Sequence, residues 1–242
     1  MTDIEKTGVS ILISVYNSEH TIENSVDSII NQTYNNLEIL ILNDGSTDNT
    51  SKILEKLSLK DNRVKLFSNK ENLGLTKSLN VLIKHSTNNI IARHDADDIS
   101  YPNRIESQLN FLLQNNLDVT YSRAIRNDTG NVVPRFSYYF PKKILINYKN
   151  PYVHGTMLAK KDAIELVGNY DEEFIYSQDY KLVHDMIKAD LKIKIIKKPL
   201  YELNMFNNIS SQKKEDQEYF AKLVRKKRKW NANEVQTKLY WM

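Results

Sequence analysis

The feature that most restricts the fold is a rhythm in the N-terminal half of the chain. Short, β-branched apolar runs alternate with stretches whose apolar residues recur at helical spacing. Val9–Val15 (VSILISV) reads as a buried strand. Tyr16-Asn17-Ser18 turns the chain, and Thr21–Gln32 then places Ile22, Val26, Ile29 and Ile30 on one helical side. Leu37–Leu42 (LEILIL) is a second strand. The cap-rich loop Asn43–Thr50 feeds a helix carrying Ile53, Leu54 and Leu57. Val64–Phe67 and Asn89–Arg93 read as further strands, and Leu75–His85 and Asn103–Gln114 as helices. Such alternation implies right-handed βαβ units and a mostly parallel sheet, an α/β fold. Ligands of these sheets bind beyond the C-terminal strand ends. Tyr16-Asn17, Asp44 and Asp95-Ala96-Asp97-Asp98 each follow a strand end, so they should converge on one edge.

The second half is less regular. Val119–Ala124 and Lys192–Ile196 read as strands, Asp162–Val167 and Tyr180–Ala189 as helices, and Asp128-Thr129-Gly130-Asn131 as a turn. No linker, repeat or low-complexity segment interrupts the chain. Its 242 residues suit one large domain, or one with a small appendage. The absence of cysteine excludes disulfides, thiolate metal sites and a cysteine nucleophile. No apolar run approaches the ~20 residues of a membrane span. Acidic and polar residues interrupt the N-terminus, so no signal peptide is expected there.

The formal charge of +4 is unevenly spread. Residues 222–229 (KLVRKKRK) hold six cations, and without them 28 positive residues face 30 negative ones. Tyr219, Phe220, Leu223 and Val224 form a helical stripe beside these cations, with Trp230 following. Two readings fit: contact of 222–230 with an anionic membrane surface, or a solvated helix packed on the domain by its apolar side. No nucleic-acid motif accompanies the cluster, and nucleic acid is not an expected partner.

Asp95 and Asp97 stand at i and i+2, and in extended chain their side chains point the same way. Like charges so close repel, and burial would raise their pKa values. A divalent cation relieves that conflict. Oxygen ligands without His or Cys favour Mg²⁺ or Mn²⁺, completed by water and substrate phosphates. The competing reading is a solvated acidic turn capping the helix that follows Pro102.

These segments, in this order, resemble the family 2 glycosyltransferases, which have the GT-A fold. The matching residues are Ser14-Val15-Tyr16-Asn17, Ile41 to Asp48 (ILNDGSTD), Glu71-Asn72-Leu73-Gly74, Asp95-Ala96-Asp97-Asp98 and Asp98 to Arg104 (DISYPNR). Val167 to Asp171 (VGNYD) and Gln178-Asp179-Tyr180 follow, so the likeness covers roughly residues 8–205. The resemblance implies a GT-A domain over 1–210, with a nucleotide-sugar half (1–100) and an acceptor half (101–210), ahead of a basic tail over 211–242. It implies a UDP-sugar donor, Mn²⁺ or Mg²⁺, and an inverting mechanism.

Carried over by position, Val15, Tyr16 and Asn17 lie at the nucleotide, with Tyr16 against the base. Asp44 accepts a hydrogen bond from the base N3–H. Asn72 and Gly74 belong to the nucleotide loop, where glycine permits close backbone approach. Asp97 binds the metal directly. Asp95 contacts ribose or the metal, with Ala96 beside it. Asp98 is a further ligand or a helix cap, and Arg104 braces the carboxylates. Asp179 matches the catalytic base, the alternative being an N-cap of the following helix. Gln178 departs from the Glu common in relatives. His154 lies where relatives often carry a histidine near the acceptor or diphosphate. Relatives often have Tyr-Arg after the last strand, but here the residues are Leu203-Asn204-Met205-Phe206, which leaves Lys77 as a candidate phosphate contact.

The expectation is transfer of a hexose or N-acetylhexosamine to a hydroxyl of a glycan acceptor, a lipid-linked one in particular, in bacterial polysaccharide, O-antigen or capsule synthesis. The expected location is cytoplasmic, on the inner face of the cell membrane if the tail binds it. The competing functions are a nucleotidyltransferase and a non-catalytic glycan- or nucleotide-binding subunit.

Overall fold

The structure, a computed structural model, describes residues 6–206 and 213–226. Strands β1 (Val9–Val15), β2 (Leu37–Asp44), β3 (Val64–Asn69) and β4 (Ile90–Arg93) alternate with helices α1 (Ile22–Ile30), α2 (Thr50–Lys60) and α3 (Leu75–His85). All four strands are parallel, and β1 lies between β2 and β4.

Side chains of β1 alternate between two core layers. Val9, Ile11, Ile13 and Val15 pack with Ile22, Val26 and Ile29 of α1 and Leu54 of α2. Leu12 packs on the opposite face with Leu79, Leu82 and Ile83 of α3. A strand covered on both faces has to be apolar almost throughout, which accounts for the VSILISV run. The buried exception, Ser10, donates its hydroxyl hydrogen to Glu38 Oε2 at 2.6 Å.

The rest of the chain extends this sheet. It comprises β5 (Ile99–Ser100), α4 (Arg104–Gln114), β6 (Val119–Arg126), β7 (Val132–Val133), α5 (Lys142–Leu145), β8 (Leu158–Lys160), α6 (Lys161–Leu166), α7 (Gln178–Lys188), β9 (Ile193–Leu203) and α8 (Lys214–Lys226). The strand order is β3-β2-β1-β4-β8-β6-β9-β5, with β7 on β6. Strand β8 runs antiparallel to both β4 and β6, whereas β6 and β9 are parallel to each other. The sheet is therefore mostly parallel and flanked by helices, as expected.

Three differences from the sequence reading matter. Strands β5, β7 and β8 are only two or three residues long, too short to show periodicity. Strand β9 continues beyond Ile196 to Leu203, because its register with β6 shifts around Arg123 and accommodates Pro199. The apolar stripe of α8 is turned inward: Phe220, Leu223 and Val224 are buried, and the Phe220 ring lies 5.8 Å from Phe174. Those three side chains serve the domain and leave no apolar face there for a membrane. Residues 227–230 lie outside the described residues. No helix among the described residues is long and apolar enough to cross a membrane.

Candidate active site

The ends of β1 and β2 are stitched together. Asn17 has φ 46°, a left-handed backbone that Asn tolerates better than most residues. Its N–H donates to Ser46 Oγ at 3.0 Å, and its Oδ1 accepts from Thr47 N at 2.8 Å. The Tyr16 ring is left 46% exposed at this edge, so it is not a core tyrosine. Asp44, at the end of β2, is 2% exposed and accepts from Asn69 Nδ2 (2.7 Å), Leu73 N (3.0 Å) and Gly74 N (2.8 Å). Oδ2 carries only the Gly74 bond of these three, which leaves it a lone pair for one more donor. Asn72 Oδ1 also accepts from Gly74 N at 3.0 Å. The reason for glycine at 74 is φ 90°, not close packing on a strand, since no atom lies within 4 Å of the place a Cβ would take. Lys77 is exposed in the first turn of α3, directly after this loop.

Asp95 to Asp98 forms a turn, with Asp98 N donating to Asp95 O at 3.4 Å. Strand alternation therefore does not set the directions of these side chains. Asp95 is ion-paired with Arg93, whose side chain is buried. Asp95 N donates to Tyr201 Oη at 3.0 Å. A Cβ on Gly155 would sit 2.6 Å from Asp95 Oδ2, so glycine is what lets that chain segment reach the carboxylate. The turn is held by Ser25 Oγ of α1, which donates to Asp95 O (2.8 Å), and by Oγ1 of Thr21, the residue before α1, which donates to Ala96 O (3.1 Å). Asp97 faces a pocket of about 180 Å³ shared with Thr21, Glu202 and Asn204. Burial, and then the charge of Asp95, push its carboxyl up to about 6.

One expectation, the capping role of Asp98, is corrected here. Asp98 does not cap α4, since Asn103 holds that position. Asp98 is buried, accepts from Asn204 N at 2.7 Å, and is pushed upward by burial and by Asp95 and Asp97. Arg104 makes no hydrogen bond to these carboxylates and is no surface arginine. It is fully buried, donating to Gln108 Oε1 (3.0 Å), Ser100 Oγ (2.7 Å) and Arg93 O (2.6 Å). It braces the backbone from which Asp95 projects.

Among the described residues, no three His, Cys, Asp or Glu side chains converge as a ready metal cage. The donor set that is present is carboxylate oxygen beside a pocket. That fits a Mg²⁺ or Mn²⁺ ion drawing its other ligands from water and phosphate. The raised Asp97 carboxyl fits too, because a cation would stabilise its charged form.

Asp179 lies in the first turn of α7, but the N-cap position is Ser177, with φ 53°. The capping alternative for Asp179 is thereby corrected. Asn150 Nδ2 donates to Asp179 Oδ2 at 2.7 Å. His154 Nε2 lies 2.7 Å from Tyr170 Oη. Burial and the charge of Arg93 lower the His154 pKa, while Asp179 and Asp95 oppose them. His154 thus sits in the fields of both carboxylates. Gln178 is buried at the start of α7. The loop before Asp179 is tied to α3: Thr76 Oγ1 donates to Phe174 O (3.0 Å) and Asn80 Nδ2 to Tyr170 O (2.9 Å).

The profile described as "Glycosyl transferase family 2" matches residues 10–179. The chain belongs to glycosyl transferase family 2. An uncharacterized glycosyltransferase of Haemophilus influenzae is 35% identical over 189 residues, which is 72% of this chain and 58% of that protein. The Escherichia coli UDP-Glc:alpha-D-GlcNAc-diphosphoundecaprenol beta-1,3-glucosyltransferase WfgD is 34% identical over 183 residues, covering 74% of this chain and 70% of that one. Against the first-mentioned relative, this chain spans less than three fifths of the length. Among solved structures, S. aureus TarS 1-349 in complex with UDP-GlcNAc superposes with TM-score 0.76 at 20% identity, over 90% of this chain and 65% of that one. A Pyrobaculum calidifontis mannosyltransferase in complex with GDP-Man and Mn²⁺ gives TM-score 0.65 at 18% identity, over 81% and 56%. The fold is GT-A.

Within this family 2 chain, four site features have no plain signature in the sequence. Arg93 reads there only as a strand end, since an arginine in a short strand looks solvated. Gly155 and Tyr201 meet Asp95 from segments 60 and 106 residues downstream, beyond any local pattern. Asn204 follows the end of β9, and there its backbone N–H holds Asp98. The run Arg93-His94-Asp95 is the one local signal. His94 is fully buried between Ser25 Oγ (2.9 Å) and Ser100 Oγ (3.3 Å), and burial lowers its pKa well below the usual value.

Proposed function

We propose that this chain is an inverting glycosyltransferase that takes a hexose or N-acetylhexosamine from a UDP-sugar. The observation that carries the reading is one short segment that touches both carboxylates: Asn150 donates to Asp179 Oδ2 at 2.7 Å, and a Cβ on Gly155 would lie 2.6 Å from Asp95 Oδ2, with His154 between them in sequence. In this reading Tyr16 stacks on uracil through its exposed face, with Val15 and Asn17 framing it. The free lone pair of Asp44 accepts the N3–H. Asn72, Gly74 and Lys77 border the nucleotide, and Ala96 lines it beside Asp95.

Asp97 and Asp95 would hold Mn²⁺ or Mg²⁺, which supplies charge neutralisation for the departing diphosphate. Arg93 holds Asp95 in place, and Arg104 holds the backbone carbonyl of Arg93. Asp179 accepts the proton of the acceptor hydroxyl as that oxygen bonds to the anomeric carbon. The bond from that carbon to the diphosphate oxygen breaks on the opposite face, UDP departs, and the anomeric configuration inverts. Asn150 orients the Asp179 carboxylate, and buried Gln178 fixes the start of α7. The acceptor is a glycan, lipid-linked as in the substrate named for WfgD, and the process is surface polysaccharide or O-antigen synthesis at the inner face of the membrane.

The test is metal-dependent release of UDP from a panel of UDP-sugars and GDP-Man. Asp179→Asn should lower kcat by ~10²–10⁴-fold while UDP still binds. Asp97→Ala and chelation by EDTA should each remove the metal-dependent rate. Full activity in both variants would refute the residue roles. Release of pyrophosphate in place of UDP would favour a nucleotidyltransferase.

A further inference from the structure

Residues 135–149 (RFSYYFPKKILINYK) form a surface of unusual composition. Of twelve large apolar side chains exposed among the described residues, five lie here: Phe136, Tyr139, Phe140, Ile144 and Tyr148. Clustered exposed apolar groups mark interaction sites, whereas scattered ones need no explanation. The charge is of one sign. The stretch holds four cations, and no acidic residue occurs between Asp128 and Asp162. Arg135 and Lys149 are exposed, and Lys143 pairs with Asp190 at 2.5 Å on the open surface. Lys142 has a different task. Its Nζ donates to the carbonyls of Ser137 (2.8 Å), Tyr138 (2.7 Å) and Phe140 (3.1 Å), which fixes the turn that displays the rings.

This surface is joined to the catalytic side of the domain. Tyr180 Oη donates to Ile146 O at 2.5 Å, and Asn150 donates to Asp179 just beyond the stretch. Arg225 Nη1 donates to Tyr148 O at 3.1 Å, so α8, with exposed Lys226, lies on the same flank.

We propose that residues 135–149 are a membrane-docking surface for an anionic bilayer, with the aromatic rings at headgroup depth and the cations on lipid phosphates. Aromatic rings rimmed by Lys and Arg match that interface in both polarity and charge. The chain's own segment 226–229 (KKRK) is a poor occupant, because it is itself cationic. The docking places the acceptor side of the cleft against the bilayer, where a lipid-linked hydroxyl would be presented.

The test is flotation of the full chain with vesicles of phosphatidylcholine alone, or of phosphatidylcholine and phosphatidylglycerol in equal parts. Binding should require phosphatidylglycerol. Arg135→Ser/Lys149→Ser should weaken it about 25-fold, at about five-fold per cation. Phe136→Ser/Phe140→Ser should weaken it by on the order of ten-fold per ring. All four sites are exposed, and unchanged melting temperatures would exclude misfolding. Because the chain has no cysteine, Phe140→Cys carrying a polarity-sensitive fluorophore gives a direct readout, and its emission should rise on the anionic vesicles. Equal binding by wild type and variants would overturn the proposal and pass the contact to the tail. Equal binding to neutral vesicles, or none to either, would overturn it too. So would variants that change only the sedimentation coefficient, which would point to a second copy of the chain. Vesicle binding needs no donor sugar, so its failure is distinguishable from failure of the catalytic reading.

Discussion

Asp44→Asn changes one heavy atom in a carboxylate that organises the 69–74 loop, the proposed nucleotide side of the site. Three donors surround it, and two are backbone N–H groups of the 69–74 loop. The amide oxygen can keep Asn69 and Leu73, but its NH₂ then faces the Gly74 N–H. Gly74 N–H keeps Asn72 Oδ1 as an acceptor, so the donor left unpaired is the new NH₂ on the buried side chain, at a cost of about 1–3 kcal/mol, and the surviving bonds lose their charge assistance. The total is about 2–4 kcal/mol. At roughly 2–4 °C per kcal/mol for a chain of this size, the melting temperature should fall by about 5–15 °C. UDP should also bind about ten-fold more weakly, a loss of ~1.4 kcal/mol. Gly74→Ala acts on the same loop by another route. At φ 90°, ψ 157° with open space around the added methyl, its cost is backbone strain alone, about 1–3 kcal/mol. If Asp44 stabilises the strained loop, the two changes share one effect. The double variant should then lose less than the sum of the single losses, by on the order of 1 kcal/mol. Urea unfolding with and without UDP measures every corner of this cycle. Strict additivity together with an unchanged UDP affinity would refute the reasoning.

Two further outcomes follow from the fold. Gly45→Ala should cost more than Gly74→Ala: besides φ 72°, its Cβ would meet the Glu71 backbone at 2.5 Å, and backbone cannot step aside as a side chain can. A smaller loss of melting temperature for Gly45→Ala would contradict this. Glu38 is buried, and burial raises its pKa, but hydrogen bonds from Lys65, Ser10 and Thr87 outweigh burial and hold it below the ordinary 4.5. A depressed carboxylate contributes stability above its unfolded pKa and loses it as pH falls through the folded value. The stability gap between wild type and Glu38→Gln should therefore be constant near neutrality and shrink below about pH 4.5. A gap that widens on acidification would show that the sign is wrong.

The parallel half is legible in the sequence because each of its signals is local. Strand β1 and helix α3 fall on Val9–Val15 and Leu75–His85 as expected, since burial on two faces and amphipathic spacing leave marks within a dozen residues. The rule for strand ends alone puts Asp44 and Asp95 at one edge. What the sequence hides depends on distant partners. Strand β8 has three residues and exists because β4 and β6 flank it. The basic helix is ambiguous in sequence, as its apolar stripe alone does not say whether Phe174 or a bilayer covers it. The spacing of Asp95 and Asp97 suggests a shared direction only if the chain stays extended, and the turn at 95–98 removes that premise. The direct base-side and metal-side roles rest on family resemblance, whereas the supports, Arg93, Gly155 and Tyr201, emerge only once the chain is folded.

The position of β8 also bears on how the protein is made. Strands β1 to β4 come early and neighbour one another, so a nascent chain can pair them while synthesis continues. The outer edge of β4 nevertheless waits for Leu158, and Asp95 waits for Gly155 and then for Tyr201. The parallel half is thus laid down first, and the carboxylate turn is closed only by later segments. A ribosome-bound fragment ending before Gly155 would carry Asp95 without the partners that close its turn, so a finished turn waits for Tyr201 and does not grow in proportion to length.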